Sequence, residues 1–182
     1  VFSKDLTRLV YYPPNRDGEE YNIPEGVAKI GDYAFTENQN LKKIVFPKSF
    51  AILDNGVLYE FNLSNSPKLE TVEIYGRWKY IPANFVAGCA SLKKITIPGS
   101  VTRIEVNAFL GCSSLEEITI PKSVSNISTY AFKDCKMLKK VILPKKLKSI
   151  FKNAFVGCSS LSEIQYLGTK DEWKQINIAT GN

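Results

Sequence analysis

The chain has 182 residues, of which 44% are hydrophobic, and it carries 24 Lys and Arg against 18 Asp and Glu, a net charge of +6. This size and composition fit one well-buried domain, and no stretch approaches the ~18 consecutive apolar residues of a transmembrane helix. The sequence contains no histidine, which excludes Ser-His and Cys-His nucleophile systems.

Residues 1–24 are the least regular part of the chain. Two short β-rich runs flank Lys4-Asp5, a pattern that predicts a hairpin-like N-terminal part. Residues 13–18, Pro-Pro-Asn-Arg-Asp-Gly, have the composition of a turn. A regular pattern becomes visible from Ile23 onward.

A unit of 23 residues then recurs along the chain. Its clearest marker is a leucine at one position of five successive copies, namely Leu69, Leu92, Leu115, Leu138 and Leu161. Self-similarity at a fixed period indicates a solenoid, in which each copy buries its apolar face against the next. We expect residues 1–182 to form a single solenoid domain of about seven to eight coils. Because the pattern begins and ends inside a copy, we also expect a monomeric fragment of a longer array.

Each regular copy predicts one strand followed by a turn. In the copy from Leu92, residues 94–97 read Lys-Ile-Thr-Ile, the alternation of a short strand. Pro98 ends the strand because proline has no N–H to donate. Residues 107–112 predict a single α-helical or 3-10 turn closed by Gly111. The expected fold is an α/β repeat solenoid, curved, with a parallel β-sheet on the concave face and short helical turns on the convex face.

Three segments depart from the regular pattern. The copy from Leu41 is 28 residues long, and its surplus lies in residues 50–61, where Asn55-Gly56 between two apolar runs predicts a hairpin insertion. In the next copy Trp78 takes a core position. Residues 161–182, where the pattern drifts, are expected to form a variant closing repeat.

The four cysteines occupy one position of four successive copies, namely Cys89, Cys112, Cys135 and Cys158. Stacked copies place them in a row with parallel Cβ vectors, whereas a disulfide needs converging Cβ atoms ~3.8 Å apart. A zinc site needs four ligands that meet at one point. We therefore expect buried free thiols and no metal site.

Lysine and glutamate alternate between copies in two neighbouring columns. The columns are Lys42, Glu70, Lys93, Glu116 and Lys139, and Lys43, Thr71, Lys94, Glu117, Lys140 and Glu163. Each exposed ion pair is worth only ~0.2–1 kcal/mol, but alternation also penalises a slipped register through like-charge contacts. We interpret the alternating charges as ion pairs that hold neighbouring copies in register. A ligand site is the open alternative.

Four further lysines follow the strand-ending proline of two neighbouring copies, namely Lys122, Lys145, Lys146 and Lys148. The preceding copies offer no acidic residue at the matching positions. We therefore expect one basic edge that binds an acidic partner, such as an acidic host protein or a sulfated or sialylated cell-surface glycan. Ordinary solvated lysines are the alternative.

Two tyrosines are further candidates for ligand binding. Tyr75 and Tyr80 are at outward-facing positions of an irregular copy, where they could stack on a sugar or a protein. Nucleic acid is not expected as a partner, because the basic residues are 20 Lys and 4 Arg and nucleic-acid readers favour Arg.

Enzyme chemistry is not expected. The sequence has no Gly-rich phosphate loop and no H-E-x-x-H motif, and a repeat solenoid offers an open surface rather than a closed pocket. We assign no catalytic, cofactor-binding or metal-binding residue, and we expect no insertion into a membrane.

The repeat resembles the leucine-rich repeats of the BspA-like type. The resemblance rests on the pattern I-x-I-P-x-S-V-x-x-I-x-x-x-A-F-x-G-C, seen in residues 95–112 and, with Asp134 in place of Gly, in residues 118–135. It implies a curved leucine-rich-repeat array in a secreted or cell-surface protein. It also implies adhesion to host proteins or other cells, with a structural spacer or a glycan-binding module as alternatives.

Overall fold

The computed structural model describes residues 1–53 and 61–182. These residues form a solenoid of about seven turns, each made by a copy of about 23 residues. The predicted repeat fold is therefore confirmed. The hairpin predicted around Asn55-Gly56, within residues 50–61, lies outside the described residues.

Each regular copy contributes two strands. The longer ones, here called the front strands, are β2 (Glu20–Asn22), β4 (Lys43–Phe46), β5 (Thr71–Ile74), β7 (Lys94–Thr96), β9 (Glu117–Thr119), β11 (Lys140–Leu143) and β13 (Glu163–Tyr166). The shorter ones, here called the side strands, are β1 (Arg8–Leu9), β3 (Lys29–Ile30), β6 (Tyr80–Ile81), β8 (Arg103–Ile104), β10 (Asn126–Ile127), β12 (Ser149–Ile150) and β14 (Asn177–Ile178). The expectation of one strand per copy is wrong, because a two-residue strand shows no alternation that a sequence pattern could reveal.

All pairing between copies is parallel. The front strands form two separate sheets, in the orders β2-β4-β5-β7 and β9-β11-β13. The side strands from β6 to β14 form one continuous sheet in the order β6-β8-β10-β12-β14, and β1 pairs with β3. The described residues therefore show a break in the front sheet between β7 and β9.

The turns that follow the side strands are not helical. Within residues 1–53 and 61–182 the only α-helix is α1 (Lys170–Lys174). In a regular turn, the Ala108 N–H donates locally to the carbonyl of Glu105 at 3.2 Å, whereas the next N–H, of Phe109, donates to the carbonyl of Ala131 in the following copy at 2.7 Å. Since every second donor serves the neighbouring copy, a helical ladder cannot form, and the predicted helical turns are corrected to turns bonded across copies.

Two positions of each regular turn have positive φ. One column contains Asn84, Asn107, Tyr130 and Asn153, and the other contains Asn65, Gly88, Gly111, Asp134 and Gly157. The predicted closing residue, Gly111, has φ 71°. Asn, Asp and Gly tolerate this region best, which explains why they dominate both columns.

The core is a set of apolar columns along the stack. In the regular copies, the buried rings of Phe109, Phe132 and Phe155 stack with centroids 4.8 and 5.2 Å apart and planes within 10°. In the irregular copies, Trp78 is buried among phenylalanines and meets Phe46 edge-on at 5.0 Å. The predicted core positions of the phenylalanine row and of Trp78 are confirmed.

The cysteines are free thiols, as predicted. Cys89, Cys112 and Cys135 are buried and Cys158 is half-buried. Each thiol donates to a carbonyl of the preceding copy; the Cys112 Sγ, for example, lies 3.3 Å from the carbonyl oxygen of Val86. Burial raises the pKa of the Cys89 thiol to about 12, so the thiol remains protonated and unreactive at neutral pH.

The two ends of the chain join the stack differently. At the N-terminus, Phe2 and Leu9 form an antiparallel bridge, and β1 then pairs with β3. At the C-terminus, α1 takes the place of a turn, and β14 pairs with β12. A capping box between Thr169 and Glu172 fixes the start of α1.

Candidate functional site

In the part of the chain that the structure describes, most charges in the columns of the front strands are paired within their own front sheet, with Lys94 and Glu117 as the exceptions. The ion pairs include Lys93 with Glu70 at 2.9 Å, Lys139 with Glu116 at 2.7 Å and Lys140 with Glu163 at 2.8 Å. Among the described residues, neither column has an ion pair across the break between β7 and β9. The front strands therefore use their charges mainly for stacking.

Three of the four predicted lysines line one open groove. Lys145, Lys146 and Lys148 follow β11 and surround a depression of about 700 Å³. Leu147 between them is buried, which anchors the segment and leaves the lysine side chains in solvent. The groove also contains residues that the sequence analysis missed, namely Tyr166, Glu172 and Gln175.

The closing repeat supplies one acidic partner to this groove. The Lys145 ammonium lies 3.0 Å from a carboxylate oxygen of Glu172, and the Tyr166 hydroxyl donates to the Lys145 carbonyl at 3.1 Å. The backbone N–H of Thr169, followed by Lys145, lowers the pKa of Glu172. The acidic partner of Lys145 lies in the following copy, whereas the matching positions of the preceding copy are not acidic. The T-x-x-E capping signal at Thr169 could have located this partner.

Lys122 lies apart from the other three lysines. It lines a cleft of about 620 Å³ between β7 and β9, together with Lys94, Gly99 and Glu117. The predicted basic edge is thus divided between two depressions of the surface.

The two predicted tyrosines have different environments. Tyr75 is 53% exposed, and its hydroxyl donates to Glu73 at 3.0 Å, which raises the pKa of Tyr75. Tyr80 is only 1% exposed, and the Arg103 guanidinium covers its ring at 4.5 Å. The expectation that Tyr80 faces outward is wrong, because its ring packs into the core and the Arg103 side chain of the next copy covers it.

Tyr75 borders a third depression. This depression has a volume of about 450 Å³ and is lined by Asn22, Glu25, Val45 and Lys48 as well. It combines one exposed ring with an amide, a carboxylate and an ammonium group.

Neither a metal cluster nor a membrane-spanning helix is found in the described part of the chain. Residues 1–53 and 61–182 contain no group of three or more Cys, Asp or Glu side chains placed to hold a metal ion. They also contain no helix that is long and apolar enough to cross a bilayer.

A parallel solenoid with open grooves and a buried column of phenylalanines and cysteines defines a leucine-rich-repeat protein. The chain belongs to the BspA-type leucine-rich repeat family, whose model matches residues 14–82 and 79–177 in six copies. No curated protein sequence matches the chain.

Several solved structures share the fold. A leucine-rich repeat protein from Eubacterium ventriosum is 28% identical, with a TM-score of 0.70 over 88% of this chain and 48% of its own. A leucine-rich cell surface protein from Faecalibacterium prausnitzii is 25% identical, with a TM-score of 0.64 over 97% and 39%. The pneumococcal vaccine antigen PcpA is 26% identical, with a TM-score of 0.53 over 94% and 36%. The chain thus spans less than half of the length of each of these three proteins.

Proposed function

We propose that this chain is a non-enzymatic binding module of a secreted or surface-displayed protein. Its basic groove, formed by Lys145, Lys146 and Lys148, binds an acidic group on a host extracellular protein or a cell-surface glycan. The observation that carries this proposal is the set of three exposed lysines around one depression, two of which, Lys146 and Lys148, form no ion pair among the described residues.

The charge balance of the groove favours an anionic ligand. Lys145 is paired with Glu172, while Lys146 and Lys148 have no ion pair within the described residues. Two uncompensated ammonium groups so close in sequence repel each other, and a sulfate or carboxylate group would convert that repulsion into attraction. Screening limits the attraction to a distance of ~8 Å at physiological ionic strength.

The chemistry of the surface supports binding rather than catalysis. The sequence has no histidine, and the depressions around the described lysines are open to solvent, so they do not exclude water as an active site does. The solved relatives include a protein named as a cell surface protein and one named as a vaccine antigen, which favours display outside the cell.

The test is a charge reversal that leaves Lys145 and its partner in place. A Lys146→Glu, Lys148→Glu double variant is compared with Lys29→Glu, Lys152→Glu, which makes the same change in net charge at exposed lysines outside the groove. Binding to immobilised heparin, to a sialylated glycan array and to cultured host cells is measured at low salt and at about 150 mM salt. We expect the groove variant to lose at least about tenfold in affinity, with the control variant much less affected. Equal binding by both variants would leave these lysines as solubility residues and favour the spacer function.

A second candidate function, glycan binding, is favoured by Tyr75. Its exposed ring borders a depression with amide and carboxylate groups, a combination that suits stacking on a sugar together with hydrogen bonds to its hydroxyls. Loss of glycan-array signal in Tyr75→Ala, with Tyr33→Ala as the control at another exposed tyrosine, would support this site. An unchanged array signal in Tyr75→Ala would exclude it.

A further inference from the structure

The break in the front sheet is local. The side strands of the two copies concerned, β8 and β10, remain paired through Arg103 and Asn126. Between β7 and β9, however, the described residues form no backbone hydrogen bond, and a cleft of about 620 Å³ is lined by residues of both strands; strands that pair directly are ~4.8 Å apart. Inserting one strand between two others requires twice that spacing, about 9.6 Å. The two copies are thus joined at the side and open at the front.

Backbone groups with no partner strand face each other across this gap. The Lys94 N–H donates towards β5, to the Glu70 carbonyl at 3.1 Å, and the Glu116 carbonyl accepts from Lys139 of the following copy at 2.8 Å. Because successive N–H groups of a strand point to opposite sides, the N–H and C=O groups of Ile95 and Glu117 point into the gap. Such groups form a template for an added strand.

The floor of the gap is apolar. Ile95 and Ile97 are partly exposed although they pack against the core. Their counterparts in the preceding copy, Val72 and Ile74, are 0% and 2% exposed. An inserted strand with an apolar side chain pointing inward, between Ile95 and Ile118, would therefore bury surface that the other copies bury by pairing directly.

The rim of the gap is mainly basic. Lys94 and Lys122 line it, and neither has an ion pair within the described residues. Gly99 occupies the position of Lys122 one copy earlier and leaves room beside that lysine. Glu117 is the one acidic side chain among the lining residues, so the rim attracts carboxylates.

We propose that the gap between β7 and β9 is a strand-insertion site for an extended acidic segment of a partner protein. About three to five residues of the segment pair with both strand edges. An apolar side chain fills the space between Ile95 and Ile118, and flanking carboxylates lie near Lys94 and Lys122. This site differs from the basic groove. Its specificity comes from backbone hydrogen bonds and from the alternation of apolar and acidic side chains in the segment, rather than from charge alone.

The probe is the fluorescein-labelled heptapeptide Asp-Val-Asp-Ile-Asp-Val-Asp. Its binding to the full chain is measured by fluorescence anisotropy, and amide hydrogen exchange is followed for Ile95, Glu117 and Thr119. We expect saturable binding and exchange at least about tenfold slower at these amides, because they acquire carbonyl partners. A peptide of the same sequence with N-methyl groups on the three apolar residues should bind much more weakly, since it cannot pair on both sides.

Charge variants distinguish this site from the basic groove. Lys94→Glu and Lys122→Glu should each weaken peptide binding by about two- to fivefold, whereas the matched exposed change Lys29→Glu should not. The Lys146→Glu, Lys148→Glu variant should retain the slowed exchange at Ile95. This last result distinguishes a failure of the proposed anion site in the groove from a failure of the proposed strand-insertion site in the gap.

Three outcomes would overturn the proposal. The first is a Kd weaker than about 1 mM for the peptide. The second is binding without slower exchange at the three amides. The third is slow exchange of these amides in the free protein. Slow exchange in the monomer would mean that β7 and β9 pair in solution. Slow exchange that depends on protein concentration would mean that a second copy of the chain occupies the gap.

Discussion

The phenyl rings of Phe109 and Phe132 lie face to face in successive copies, with centroids 4.8 Å apart and planes 10° apart. Phe155 continues the row at 5.2 Å. Phe132 is therefore packed between rings of the copies on either side. This relationship gives the sharpest prediction on stability.

Phe132→Ala should lower the free energy of unfolding by about 3–5 kcal/mol, because it leaves a cavity between two stacked rings. Urea titration followed by circular dichroism measures this change. Tyr33→Ala, at a side chain that is 77% exposed, is the control and should change the value by no more than about 0.5 kcal/mol. A loss below about 1 kcal/mol in Phe132→Ala would mean that the row does not support the stack.

Tyr75 and Tyr80 should respond oppositely to truncation. Tyr80→Ala should destabilise the fold by about 3–5 kcal/mol, since the ring is buried and covered by Arg103. Tyr75→Ala should change stability by less than about 1 kcal/mol, because its hydrogen bond to Glu73 is exposed. Thermal unfolding of both variants checks the difference, and a soluble, stable Tyr80→Ala variant would contradict the burial of this ring.

Tyr130 occupies a turn position that suits asparagine. Its φ is 58°, and the same position holds Asn107 and Asn153 in the adjacent copies. Tyr130→Asn should raise the free energy of unfolding by about 0.5 kcal/mol by relieving the cost of a left-handed backbone. The reciprocal change, Asn107→Tyr, should lower it by a similar amount. If both changes lower stability, contacts of the Tyr130 ring outweigh the backbone preference.

The thiols should react slowly in the native protein, and the buried Cys89 thiol should make stability fall at high pH. Ellman's reagent should react slowly, first with the half-buried Cys158, and with all four thiols in denaturant. The folded pKa of Cys89, about 12, exceeds the reference value of 9.0, so above pH 9 the unfolded chain loses this proton while the folded chain keeps it. The contribution of Cys89 to stability is therefore complete below pH 9 and declines from pH 9 to about 12.

A Cys89→Ala variant isolates that contribution. The difference in unfolding free energy between the wild type and the variant should shrink as the pH rises from 8 to about 11. A constant difference would show that the Cys89 thiol titrates alike in both states. Mass spectrometry of the native protein under non-reducing conditions should show four thiols, and a disulfide among them would contradict the row of parallel side chains.

The sequence by itself determined the features that every copy repeats. The period, the front strands, the buried phenylalanine and cysteine columns and the core position of Trp78 each follow from a residue type recurring every 23 positions, because stacking forces equivalent residues into contact. Even the position of Gly111 at the end of its turn can be predicted from one copy. These features depend on local chain geometry and on the nearest neighbour in the stack.

Only the tertiary structure decided how the copies sit against one another. The turns are not helical because alternate N–H groups donate to the next copy. Tyr80 is buried because the Arg103 side chain of the next copy covers its ring. Lys145 meets Glu172 through a helix that occurs in the closing repeat. The gap between β7 and β9 has no counterpart in the sequence, since residues 94–96 and 117–119 read Lys-Ile-Thr and Glu-Ile-Thr and suit direct pairing. The distance between two copies depends on all the contacts that they make at the front and at the side. It therefore cannot be predicted from any single column of residues.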